Sequence, residues 1–130
     1  MTGRIIGGTF IAALMLIFGP ASAAVKAGDP VQGKMLFAKC VICHTVEPGK
    51  NKLGPSLAGV VGRKSASVPG FNYSAAMKGA GIVWSPDNLD KYIASPRTLV
   101  PGNKMIFAGM ANPVDRANLI AYLQKPDAAK

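Results

Sequence analysis

The chain has 130 residues, with 15 Lys or Arg against six Asp or Glu and a formal net charge of +9. That length holds one domain, and two cysteines with a single histidine exclude both a disulfide-dense scaffold and a four-ligand zinc site. The basic surplus points to acidic partners, but no long basic run with interleaved aromatics suggests nucleic acid.

Residues 1–23 read as a cleaved export signal. Met1 to Arg4 carries positive charge, Ile5 to Phe18 is almost wholly apolar, and Gly19-Pro20 breaks any helix. Ala21-Ser22-Ala23 then supplies small residues at the spacing a signal peptidase needs. A retained anchor is the alternative, because Ile5 to Val25 contains no charge and about 20 apolar residues span a bilayer. Gly7, Gly8 and Pro20 make it a poor one. Cleavage before Ala24 leaves residues 24–130 as the folded domain and removes Arg4, lowering the net charge from +9 to +8. The expected location is the bacterial periplasm, an oxidising compartment where two cysteines would ordinarily pair.

Three helix starts combine a capping side chain with proline at the first helical position. Asp29-Pro30 opens a helix expected to reach about Lys39, with Val31, Met35 and Ala38 as its apolar stripe beside Leu36 and Phe37. Gly33 costs about 1 kcal/mol relative to alanine inside a helix, so it is expected to mark close approach to the C-terminal helix. A short helix follows Ser74 through Met77. Ser85-Pro86 opens another that ends before Pro96. Asn112-Pro113, with Asp115 in the first turn, opens the last, which ends near Gln124 ahead of Pro126. Along it Val114, Ala117, Ile120 and Leu123 recur at helical spacing, flanked by Leu119 and Tyr122. No segment alternates long enough for a sheet, so the fold class is all-α. The stretches 45–71 and 96–111 are rich in Gly, Pro and Lys, and loops this long are uncommon unless they wrap something.

Cys40-Val41-Ile42-Cys43-His44 follows the first helix and has the C-x-x-C-H spacing of covalent haem attachment. Two thiols three positions apart can add to the two vinyl groups of one porphyrin, and the next residue then offers an imidazole to the iron. His44 is the only histidine. A disulfide between the two cysteines would close too small a loop to stabilise much. A thioredoxin-like pair expects a strand-to-helix setting, and zinc lacks a fourth ligand. For the opposite face of the iron, Met105 sits in a Pro-Gly loop rather than on a helix stripe, and its thioether suits iron. The alternatives are a Met105 that only fills core space, Met77 as a weaker competitor, or an open iron site for catalysis or gas binding.

Taken together these stretches resemble the class I cytochromes c, the family of mitochondrial cytochrome c and its soluble bacterial relatives. The likeness runs from Gly28 to Gln124 through Gly33 to Phe37, Cys40 to Glu47, Gly54-Pro55, Gly62-Arg63-Lys64, Gly70 to Tyr73, Gly81 to Trp84, Tyr92, Pro101 to Gly109 and Leu119 to Leu123. The resemblance implies a small cytochrome c fold with N- and C-terminal helices crossing, and one haem c held by two thioether bonds. His44 and Met105 are then the axial ligands. It further implies that Pro55 offers its carbonyl to His44, that Tyr73 and Trp84 donate to a haem propionate with Arg63 neutralising it, and that Tyr92 contacts the Met105 side.

Two positions depart from the pattern. Met77 stands where an asparagine commonly holds a buried water, which predicts a drier pocket and an altered potential. Asn103 stands where a threonine commonly touches a propionate, and it can still donate. The implied function is not enzymatic: a monomeric one-electron carrier from a quinol–cytochrome c reductase to a terminal oxidase or photosynthetic reaction centre. Lys34, Lys39, Lys52, Arg97 and Lys104 are expected to ring the haem edge and meet acidic docking surfaces.

Overall fold

The computed structural model describes Gly3 and residues 27–129; the expected export signal otherwise lies outside the described residues. Helix α1 covers Pro30–Leu36 and tightens into a 3-10 turn at Phe37–Lys39, so the first helix reaches its expected end in a narrower form. Then come α2 (Ala75–Gly79), α3 (Pro86–Ala94), α4 (Pro96–Leu99) and α5 (Pro113–Gln124), with a last 3-10 turn at Pro126–Ala129. Sheet structure among the described residues is limited to one antiparallel bridge, Lys64 to Val83.

Each expected cap forms. The Asp29 carboxylate accepts the Val31 N–H at 2.8 Å and Asn112 Oδ1 accepts that of Val114 at 2.9 Å. Ser74 Oγ takes the Met77 N–H at 3.1 Å, and Ser85 Oγ that of Asn88 at 3.2 Å. Caps of this kind contribute about 1 kcal/mol each. Helix α4 was not expected. Ser95 is extended, with φ −157°, and Pro96 starts a new turn there. The proline that ends α3 therefore also begins α4.

The core forms where α1 crosses α5 and where α3 packs against α5. Phe37, Leu89, Tyr92, Ile93, Leu119, Ile120, Tyr122 and Leu123 are buried, and the rings of Phe37 and Tyr122 lie 5.4 Å apart. The close approach expected at Gly33 is present: an added Cβ would lie 2.0 Å from the Asn118 carbonyl oxygen. A second contact brings the Asp29 N–H to Asn118 Oδ1 at 2.8 Å.

The apolar stripe expected on the first helix is on the wrong side. Val31 and Met35 are 52% and 66% exposed, and Ala38 is exposed too. The inner face runs instead through Gly33, Leu36, Phe37 and Cys40, at spacings of three and four. At about 100° per residue, Val31, Met35 and Ala38 fall roughly opposite Gly33. Val114 is likewise 63% exposed, because the buried face of α5 is set by Leu119 and Leu123.

Gly33→Ala is expected to lower stability by about 2 kcal/mol or more, since backbone rather than a movable side chain meets the new methyl. Gly79→Ala, whose Cβ would meet nothing within 4 Å, serves as the control and is expected to be neutral or slightly stabilising. Denaturant unfolding followed by far-UV circular dichroism separates the two; equal midpoints would refute the close-approach argument.

Candidate haem site

The attachment turn continues directly from α1. Cys40 N–H donates to Phe37 O at 2.8 Å, and the N–H groups of Cys43 and His44 both reach Cys40 O, at 3.0 and 2.9 Å. This places Cys40 on the inner face that Gly33 and Phe37 define. Both thiols are free and half-buried. Burial pushes the Cys40 thiol above its usual range, and Lys39 partly counters it.

His44 is held from two sides. Its Nδ1 lies 2.7 Å from Pro55 O, and a carbonyl can only accept, so Nδ1 carries the proton. Nε2 is then left with its lone pair free for a metal. Burial lowers the imidazole's proton affinity, with the Pro55 bond acting against it and Lys52 adding to it. Gly54 makes room for it: a Cβ there would sit 2.3 Å from His44 Cε1. The loop beyond is fixed by Ser56, whose N–H reaches Asn51 Oδ1 at 2.9 Å and whose Oγ donates to Glu47 O at 2.6 Å.

Arg63 is held by backbone carbonyls of the loop before it. Its guanidinium donates to Ala58 O at 2.7 Å and Ser56 O at 3.0 Å, while its buried Nε has no partner among the described residues. The same side chain lines a cavity of about 540 Å³, bounded also by Ser56, Ala58, Gly59, Ser67 and Val68. Tyr73 Oη accepts the Val68 N–H at 3.1 Å, so its own proton remains available. Trp84 is buried against Tyr92, their ring centres 4.9 Å apart. The Trp84 backbone pairs with Arg63 O at 2.8 Å, which ties tryptophan and arginine to one short ladder. Free thiols, an imidazole with an open lone pair and an orphaned buried guanidinium N–H fit a covalently held haem with its acidic side chains.

Met105 is half-buried and packs against the core. Met77, in the middle of α2, packs there too and is half-buried. Asn103 has partners other than the expected propionate: its Nδ2 donates to Pro96 O at 3.1 Å and Val100 O at 2.8 Å, which commits both amide hydrogens.

Comparison with known proteins agrees with this arrangement. The family profile described as cytochrome c matches residues 30–126. The chain is 52% identical over 103 residues to cytochrome c2 of Rhodomicrobium vannielii, covering 78% of this chain and 82% of that one. It is 56% identical over 98 residues to cytochrome c2 of Rhodopila globiformis, covering 75% and 92%. Among solved structures, cytochrome cH from Methylobacterium extorquens aligns with a TM-score of 0.70 at 40% identity, over 74% of this chain and 97% of that one.

The chain belongs to the cytochrome c family. It is thus a cytochrome c2-type electron carrier rather than an enzyme, with haem c bound covalently through Cys40 and Cys43 and redox proteins as partners. Around this cytochrome's site the expected docking cations divide. Lys39, Lys52, Arg97 and Lys104 are exposed; Lys52 Nζ donates to Val41 O in the attachment turn, and Arg97 lines a cavity with Ile106 and Phe107. Lys34 turns elsewhere, its Nζ reaching Ala129 O at 3.2 Å.

Arg116 was missed from sequence. It pairs with Asp90 through Nε at 2.7 Å and Nη2 at 3.3 Å, and Nη1 caps the carbonyls of Met110 and Ala111 at 2.9 and 2.8 Å. No local signal marks it, because Asp90 lies on a different helix.

Burial pushes the Tyr92 phenol up to about 12 from an ordinary 10.0. Between those values the unfolded chain has released a proton that the folded one keeps, so stability is expected to fall as pH rises from about 10 towards 12. Tyr92→Phe is expected to lose that part of the pH dependence in denaturant titrations. An unchanged slope in the variant would refute the assignment.

Proposed function

We propose that the protein is a diffusible, monomeric one-electron carrier of the bacterial periplasm, moving electrons from a quinol–cytochrome c reductase to a terminal oxidase or photosynthetic reaction centre. The observation that carries this reading is the His44 to Pro55 hydrogen bond, which leaves Nε2 free directly after the two attachment cysteines. The cytochrome c2 relatives from Rhodomicrobium and Rhodopila support the bacterial setting. The leader-like residues 1–23 support export.

In this reading His44 and Met105 would hold the haem iron. The haem supplies a one-electron couple between Fe(II) and Fe(III), and a Met/His pair raises its potential. The chain's own residues do the remaining work. Pro55 fixes the His44 tautomer and enriches the ring. Arg63, with Tyr73 and Trp84, holds the propionate charge that would otherwise lie unpaired in a buried place. Tyr92 and the apolar residues around it exclude water on the Met105 side, and Met77 adds a thioether rather than an amide there. Lys39, Lys52, Arg97 and Lys104 present positive charge to an acidic partner, steering encounter.

The purified protein is expected to show a reduced-minus-oxidised haem spectrum and to keep its colour through denaturing electrophoresis. The reduced wild type is expected not to bind carbon monoxide at neutral pH, whereas Met105→Ala binds it readily. Carbon monoxide binding to the wild type would favour an open-site haem protein instead.

Lys39→Gln and Lys104→Gln are expected to slow reduction by an acidic redox partner several-fold at low ionic strength, with the difference shrinking as salt screens it. A salt dependence identical to that of the wild type would rule out this docking surface.

A further inference from the structure

The loop that carries Met105 is fixed at two ends and bare between them. At the far end Gly109 adopts φ +111°, where a Cβ would meet Ala94 O at 2.1 Å, and the Met110 N–H donates to Ile93 O at 2.8 Å. Arg116 then caps the carbonyls of Met110 and Ala111. At the near end stands Asn103. Besides its two side-chain donations to Pro96 O and Val100 O, its backbone N–H reaches Val100 O at 3.1 Å. Those acceptors are firm: Pro96 is among the most completely buried side chains and Val100 is 3% exposed. The remaining atom, Oδ1, accepts the Met105 N–H at 2.9 Å. From Lys104 to Gly109 that is the only backbone N–H with a protein acceptor among the described residues. Ile106, next in the chain, is 97% exposed.

We propose that Asn103 is a positioning residue for Met105: its amide clamps α4 at its first residue, Pro96, and its C-cap, Val100, with one side and the methionine backbone with the other, and so sets how readily the loop releases the thioether. The inference rests on Met105 being the axial ligand. An amide suits the task because it offers two hydrogens and an acceptor at once. A threonine in its place has one hydroxyl hydrogen and cannot satisfy both carbonyls. The buried Pro96 and Val100, at the two ends of α4, supply the rigid reference, and the methionine inherits its position from it.

The test uses the ferric holoprotein and the variants Asn103→Ala, Asn103→Thr and Met105→Ala. Each is heated while the sulfur-to-iron charge-transfer band and far-UV circular dichroism are followed together. Asn103→Ala is expected to raise the fraction lacking the band about ten-fold at a given temperature, as loss of several modest hydrogen bonds implies, while the dichroism melt moves little. Asn103→Thr, which keeps one donor and an acceptor, is expected to fall between. Amide hydrogen exchange at Met105 is expected to quicken about ten-fold in Asn103→Ala. A wild-type band that Asn103→Ala leaves unmoved, a band that shifts only in step with global melting, or an unchanged Met105 exchange rate would each overturn the clamp. A wild type without the band, or a Met105→Ala variant that keeps it, would overturn the ligand assignment instead, and the exchange rate would then report the clamp by itself.

Discussion

Gly33 lies so close to the Asn118 carbonyl that no side chain could fit between them, and through that contact the two ends of the folded domain are joined. Everything from the attachment turn to the start of α5 is thereby closed into a ring, at an entropic cost that grows only slowly with the length enclosed. The crossing also decides the chemistry. The face of α1 that holds Gly33 and Phe37 extends through the 3-10 turn to Cys40, so a thiol is aimed inward because the helix pair is. His44 then follows by hydrogen bonds to Cys40 O. The position of the imidazole is a consequence of helix packing further back along α1.

Within the ring, polar groups add to the core residues Val60, Val100 and Met110 in holding the loops. Ser56 fastens the segment after His44, the Arg63 guanidinium fastens the next, and Arg116 fastens the approach to α5. Each side chain donates to a backbone carbonyl, which suits segments too irregular to satisfy one another. The exception is the Arg63 Nε, left without a partner among the described residues in a buried place. Such an atom costs stability unless an acceptor meets it, and the family's haem carries carboxylates.

Local chemistry explains what the sequence makes legible. Caps and N-terminal prolines act within one turn, so the helix starts at Pro30, Pro86 and Pro113 are readable without any tertiary knowledge. The attachment motif is readable because covalent geometry fixes its spacing. Facing is different. Both stripes on α1 have helical period, and only the packing partner decides between them; Gly33 was the better guide, since a costly glycine points to the contact side. Pro96 shows a similar ambiguity, as a proline that stops one helix is equally suited to begin another. The Arg116 partner Asp90 was not legible, because it lies on another helix whose proximity is a product of the fold; those of Asn103 lie within seven residues of it but depend on the unexpected turn α4.

The two cysteines that carry the haem change what unfolding means for this protein. A cofactor held by contacts alone is lost on dilution or denaturation, and its stabilising effect depends on its concentration. A porphyrin bonded to Cys40 and Cys43 stays with the chain in every state. The disordered ensemble therefore retains a large apolar body beside the first helix, around which α1 and α5 can reassemble. Refolding is then a single-molecule event that never waits for a cofactor to arrive.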